Sequence, residues 1–355
     1  MRGVADSAGV PAERRLRRLV RTGSPSTVLR AARRELVWRR REAAVARAAR
    51  EGRRLLVGPF LGEVGYELLY WIPAVRRLLS QHRVAPERVT VLARGGAASW
   101  YRDCASHGVE ILDLIPPEEY LPAVVERRRR GGGQKQFFPD ALDSRLVRLA
   151  LAQTGDAEIV HPLLMYSRLR FVLEGLQPPE QALRLADYRR LAREPTPLPA
   201  GCPTDYVAVK LYFSDPFPDG EESRELAARV LDELANETEV VVLTSGTQLD
   251  EHREWIPDGR RIHDSSHWVV PRDNLRVQTE LVARSRAFVC THGGFSYLGA
   301  MLGVPTLALQ VQEPYSPVHL AVLRAAFPDA DYAVIGPGDL VAAAGFAERA
   351  AGGVR

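Results

Sequence analysis

The chain has 355 residues, more than one core comfortably fills and a usual size for two lobes. With 46% hydrophobic and 26% charged residues and a net charge of +4, its composition excludes a disordered or fibrous chain. Cys104, Cys202 and Cys290 stand far apart with no CxxC spacing, which speaks against a disulfide framework or a zinc knuckle and fits a reducing compartment.

In chain order, arginine crowds the stretch from Arg14 to Arg54. Residues 12–50 read as one or two basic amphipathic helices, with Leu16, Leu19, Val20, Leu29, Leu36 and Val37 spaced by threes and fours. Residues 1–52 are thus expected to form a basic helical extension. Either it is solvated and packed on the first lobe, or it is drawn to an anionic membrane surface; no aromatic interleaving favours nucleic acid. No apolar h-region opens the segment, so the expected location is the cytoplasm, with the inner face of the membrane as a possible peripheral site.

From Arg54 the pattern alternates. Leu55-Leu56-Val57 is a strand ending at Gly58-Pro59, Tyr66 to Ser80 is helical, and Val89 to Leu92 is a second strand, which makes a βαβ unit. Val109 to Leu112 and Glu158 to Val160 read as further strands, and Arg127 to Gly133 as a loop. Residues 53–193 form the expected first, acceptor-side, Rossmann-like domain. Pro195, Pro197, Pro199, Gly201 and Pro203 mark a hinge over 194–204. Beyond it, Tyr206 to Val209, Glu239 to Leu243, Phe288 to Cys290 and Thr306 to Leu309 read as strands. Ser223 to Leu234, Leu275 to Ala283 and Phe295 to Leu302 read as helices between them. Residues 205–355 form the expected second Rossmann-like domain, and the fold class is α/β with two parallel sheets facing across a cleft. The uncharged run Ala287 to Gln312 holds five glycine or proline breaks, at Gly293, Gly294, Gly299, Gly303 and Pro305, so it reads as strand, turn, helix and strand instead of a membrane span.

Two glycine-bearing loops carry the chemistry. In Cys290-Thr-His-Gly-Gly-Phe-Ser296 a strand runs into Gly293-Gly294 and a helix, placing backbone amides above the strand end where an anion fits. Glycine permits close approach of a diphosphate, and Thr291, His292 and Ser296 are candidate donors to its oxygens; the plainer reading is a tight turn capped by His292. In Gly58-Pro-Phe-Leu-Gly-Glu-Val-Gly-Tyr-Glu67, Glu63 and Glu67 are four apart and share a face if the helix has begun by Glu63. Either is a candidate general base, and either is also an ordinary complement to a helix dipole. Lys210 closes a strand at the same edge as the Gly293 turn, as a phosphate partner or as a solvated strand end. His263 to Trp268 and Arg272 to Asn274 are dense in polar groups and weakly suggest a base or ribose contact. The histidines lack HxxxH or HExxH spacing, and neither GxSxG nor GxxxxGK[ST] occurs, so no metal site, hydrolase elbow or P-loop is expected.

Read together, the two motifs resemble glycosyltransferases of the GT-B fold, especially the heptosyltransferase-like group. Leu61-Gly62-Glu63 with Pro73 and Ala74-Val75-Arg76 is similar to that group's first loop and helix, although Glu63 stands where an Asp is usual. Thr291-His-Gly-Gly294 with Gly303-Val-Pro-Thr306 is similar to its second-lobe turn. The resemblance implies a nucleotide-diphosphate sugar as co-substrate without a separate cofactor or metal, its diphosphate held by Thr291, Gly293 and Gly294, and Lys210 neutralising the leaving group. It points to Glu63 as base, with Glu67 a competitor. The expected activity is inverting transfer to a glycan, lipid-linked or small-molecule hydroxyl acceptor in cell-envelope or polysaccharide synthesis, without a nucleic-acid partner. The rivals are a sugar-nucleotide epimerase of the same fold and a non-catalytic nucleotide-sugar-binding module.

Overall fold

A computed structural model describes residues 25–127, 136, 139–193, 197–214, 216–245, 254–255, 259–312, 317–338 and 346. Residues 1–24 of the basic segment, most of the Arg127 to Gly133 loop and 194–196 of the expected hinge lie outside the described residues.

The first sheet is parallel and four-stranded, in the order β3 (His107–Glu110), β2 (Val89–Ala93), β1 (Leu55–Val57), β4 (Glu158–Val160). Leu55, Leu56 and Val57 pair in register with Val89, Thr90 and Val91 on one side and with Glu158, Ile159 and Val160 on the other. The second sheet is parallel and six-stranded, in the order β10 (Tyr332–Ile335), β9 (Thr306–Leu309), β8 (Phe288–Thr291), β5 (Tyr206–Lys210), β6 (Glu239–Val242), β7 (Ile262–Asp264). The inner strands β1, β2, β5, β8 and β9 are buried on both faces, which explains why they read as continuous apolar runs.

Alternation along the strands assigns the faces. Leu56 and Leu92 point into a cluster under the helices α3 (Pro117–Arg127) and α4 (Ala141–Thr154), while Leu55, Val57, Val89 and Val91 point the other way. In the second sheet Val207, Val209, Val240 and Val242 face the helix Glu221–Glu237, and Tyr206, Ala208, Val241 and Cys290 face inward. The inward sets of both sheets belong to one continuous apolar cluster, so the lobes share a core.

The basic segment is helical where it is described, but its buried face is not the expected one: Leu36 is 50% exposed and Val37 half-buried. Helix α1 (Pro25–Arg50) buries Trp38, Val45, Ala48 and Ala49 against the first lobe. The helix after β1 is composite: a turn at Val64–Tyr66, a π-helical turn at Glu67–Trp71, and α2 (Ile72–Gln81). The strand expected at Val109 to Leu112 instead covers His107–Glu110, because the Glu110 carboxylate accepts the Leu112 amide at 3.1 Å and turns the chain into Ile111–Leu114. The chain crosses between lobes ahead of the Pro-rich stretch. The Asp187 amide still bonds Pro73 of the first lobe at 2.9 Å, whereas the Leu191 amide bonds Met301 of the second at 2.8 Å. The helix Pro317–Ala326 then packs back on the first lobe.

Candidate functional site

The loop after β1 is fixed by partners far away in sequence. Gly58 adopts φ +111°, and a Cβ there would stand 2.5 Å from the Leu92 carbonyl oxygen, so only glycine lets the chain leave the strand beside β2. Gln136 accepts the Leu61 amide at 2.7 Å and donates to the Pro59 carbonyl at 3.0 Å and to Asp143 at 2.8 Å. Arg94 donates to the Gly62 carbonyl at 2.9 Å. Glu63 follows, half-buried, with extended backbone (ψ 140°); its carbonyl accepts the amides of Tyr66 at 3.0 Å and Glu67 at 3.1 Å. The helix therefore starts one residue after Glu63.

Glu67 is in a different environment. It opens the π-helical turn, is 1% exposed, and receives the Tyr101 hydroxyl on Oε1 at 2.7 Å, while Oε2 has no hydrogen-bond partner. Burial pushes its pKa up to about 7, opposed by the charge of Arg94 and the Tyr101 hydrogen bond. Such a carboxyl is a proton-holding group under the loop, whereas Glu63 lies at the loop's own level.

In the second lobe, β8 delivers Thr291, whose hydroxyl donates to the Tyr212 carbonyl at 2.9 Å and accepts the Tyr212 amide at 3.0 Å. His292 is buried, with Nδ1 2.9 Å from the Gln310 amide oxygen, and burial holds its imidazole below the ordinary value against the effect of that bond. Ser296 donates to the Gly293 carbonyl at 2.6 Å and lies 2.6 Å from the Tyr332 hydroxyl. The side chains of Thr291 and Ser296 thus shape the turn from within. Lys210, 7% exposed, is paired with Glu254 at 2.8 Å, donates to the Leu243 carbonyl at 3.3 Å, and stands 5.0 Å from the centre of the Phe295 ring. Its ammonium already has an anionic partner.

The two loops meet backbone to backbone. A Cβ on Gly65 would stand 2.2 Å from Gly294 Cα, and one on Gly294 would stand 2.7 Å from the Gly65 nitrogen. Glycine at both positions lets the carboxyl-edge loop of one sheet touch that of the other. Around this contact the lobes are stitched by Trp100 donating to Thr279 at 2.9 Å and by Gly95, whose carbonyl accepts the amides of Leu275 at 2.8 Å and Arg276 at 3.0 Å. Tyr70 Oη lies 2.6 Å and Tyr66 Oη 3.4 Å from the two ring nitrogens of His319, all three side chains buried. Glu110 receives the amides of Gly95 at 2.9 Å and Gly96 at 2.8 Å, and burial pushes its pKa up to about 7. The structure therefore brings Glu63 and the Gly293-Gly294 turn to one place, sets Glu67 beneath it, and pairs Lys210, next to Phe295 of that turn, with Glu254. Arg94, Tyr101, Gln136 and Tyr212 are not signalled by any local motif. Among the described residues no group of three or more His, Cys, Asp or Glu is placed to hold a metal ion.

No protein-family model matches the chain, and no curated protein matches it. Solved structures do resemble it. E. coli ADP-heptose LPS heptosyltransferase II is 13% identical with a TM-score of 0.41, the match covering 83% of this chain and 98% of that one. The glycosyl transferase family 9 protein from Veillonella parvula is 13% identical with a TM-score of 0.42, covering 84% and 89%. The spinosyn rhamnosyltransferase SpnG is 13% identical with a TM-score of 0.33, covering 84% and 92%. Likenesses at this level assign the chain no activity.

Proposed function

We propose that the chain is a glycosyltransferase that moves a sugar from a nucleotide-diphosphate donor to a hydroxyl acceptor. The observation that carries this reading is the contact of Gly65 with Gly294, which sets the half-buried Glu63 beside a glycine turn at the carboxyl end of β8. Open parallel sheets bind ligands at that edge, and a glycine turn entering a helix suits a diphosphate. Glu63 is the base that takes the proton of the acceptor hydroxyl as it attacks the anomeric carbon, giving inversion in a single displacement. Glu67 is the weaker candidate for that role, because its carboxyl is buried and retains its proton up to about pH 7. Thr291, His292 and Ser296 hold the turn's shape, leaving its backbone amides as the donors to phosphate. Lys210 joins them if a phosphate replaces Glu254 as its partner. The acceptor is a glycan, lipid-linked or small-molecule hydroxyl, and the work is done in the cytoplasm.

Thermal-shift titration with nucleoside diphosphates and their sugar conjugates identifies the donor class, since a bound ligand raises the midpoint by mass action. With that donor, Glu63→Gln keeps the shift but lowers turnover about 100- to 10,000-fold. Absence of any shift refutes the reading. Binding without turnover on any acceptor, insensitive to Glu63→Gln, assigns a binding module, and sugar conversion without acceptor assigns an epimerase.

A further inference from the structure

Helix α1 buries Trp38, Val45, Ala48 and Ala49 on one side. At about 100° per residue, the opposite side carries Leu36, Arg40, Ala43, Arg47 and Arg50, a stripe at i, i+4, i+7, i+11 and i+14. All five are exposed, Leu36 by 50%. Arg40, Arg47 and Arg50 make no ion pair among the described residues. Glu42, on the flank, is bonded to Arg168 and is turned away from the stripe. The helix dipole accounts for a cation in the last turn, where Arg47 and Arg50 lie, but not for Arg40 in mid-helix. Arg47 and Arg50, like charges three residues apart, destabilise the helix slightly, so this end of the stripe gains from an anionic partner.

We propose that this stripe is a docking surface for an anionic phospholipid bilayer. From Leu36 to Arg50 it extends for about 20 Å at the rise of an α-helix, a length that suits a planar charged surface. Leu36, Ala43 and the arginine stems supply apolar area for shallow insertion, while the guanidinium groups meet phosphate at headgroup level. The stripe carries no aromatic side chain on which a nucleic-acid base would stack, so lipid phosphate is the better match than the phosphate of RNA or DNA. The surface lies on a helix outside both glycine loops, and its function does not depend on the transferase reading.

The test is co-sedimentation of the full chain with phosphatidylcholine vesicles with and without about 30% phosphatidylglycerol. The expected result is salt-sensitive binding to the anionic vesicles alone. At about 1 kcal/mol per arginine near the surface, each loss weakens partitioning about fivefold, so R40Q/R47Q/R50Q binds about 100-fold more weakly. R40K/R47K/R50K retains binding, and both variants keep the parent's melting midpoint because the side chains are exposed. Equal sedimentation of R40Q/R47Q/R50Q and the parent overturns the proposal, as does equal binding to uncharged vesicles. Loss of duplex RNA binding in that variant, with vesicle binding unchanged, reassigns the stripe to nucleic acid and also overturns it.

Discussion

Glu67→Gln removes a carboxyl whose ionisation the fold opposes, and the consequence is a stability difference that depends on pH. Burial lifts the folded pKa to about 7, against 4.5 for an exposed glutamate, with Arg94 and the Tyr101 hydroxyl pulling the other way. Between pH 4.5 and about 7 the folded chain holds a proton that the unfolded chain has lost, so stability falls as pH rises through this window. Below it both states are protonated and the group costs nothing; above it both are ionised and the cost is complete. A gap of about 2.5 pH units, at about 1.4 kcal/mol per unit, makes that cost about 3 kcal/mol. Glutamine is neutral throughout, has nearly the same shape, and its carbonyl oxygen accepts the Tyr101 hydroxyl as Oε1 does. The stability of the variant relative to the parent therefore rises by about 3 kcal/mol from pH 4.5 to about pH 8, on top of a pH-independent offset from its amide at the unpartnered Oε2 position. Urea denaturation of both proteins across that range measures it. Glu110 titrates in both and cancels from the difference, apart from its repulsion of Glu67. A difference that stays flat from pH 5 to pH 8 refutes the argument that Glu67 is a desolvated, proton-holding group.

Gly65→Ala and Gly294→Ala each press a methyl group into backbone across the lobe contact, and each lowers stability by about 1–3 kcal/mol in urea denaturation. Neither position requires a positive φ, so the loss reports the contact itself. The double variant loses less than the two single losses combined, because the first substitution has already parted the loops. Thr291→Val strands the buried amide and carbonyl of Tyr212 and costs about 2–4 kcal/mol, whereas Thr291→Ser, which keeps the hydroxyl, costs less than half as much by the same measurement.

The two sheets were legible because a parallel strand covered on both faces is a short apolar run bounded by turn residues, and Leu55 to Val57, Val89 to Leu92, Tyr206 to Val209 and Thr306 to Leu309 all have that form. Ile262–Asp264 was not, since this edge strand is half-exposed along its length and two of its three residues are His263 and Asp264. Tyr332–Ile335 does carry the signal, an apolar run after Asp329 and Asp331. The glycines of both loops were visible, but their shared purpose was not. That Gly65 and Gly294 must both lack a Cβ follows from a contact between residues far apart in the chain. The same holds for hydroxyl supply: Thr291 and Ser296 read as donors to a ligand until Tyr212 and Tyr332 are seen beside them. Gln136 lies 75 residues from the Leu61 it holds, and no periodicity in the intervening chain signals the pairing.

The continuous core changes what a proline-punctuated linker implies about motion. Two lobes that swing freely keep separate interiors, yet here Leu55 and Val57 of one sheet and Tyr206 and Ala208 of the other contribute to one apolar cluster. Rotation about the linker would expose that apolar area to water at about 25 cal/mol per Å², and would break the Trp100–Thr279 and Gly95–Leu275 hydrogen bonds as well. Moving the tip of the loop from Leu61 to Gly65 alone leaves that shared core intact. The loop's body is held across the fold by Gln136 on Leu61 and Arg94 on Gly62, and its tip meets the second lobe at a glycine with no side chain to unpack. Under the proposed function, a diphosphate reaching the Gly293-Gly294 turn would require Gly65 to withdraw, and the loop that withdraws would be the one that carries Glu63. Donor binding and placement of the proposed base would then be a single movement, and loosening the loop through Arg94 would disturb both together.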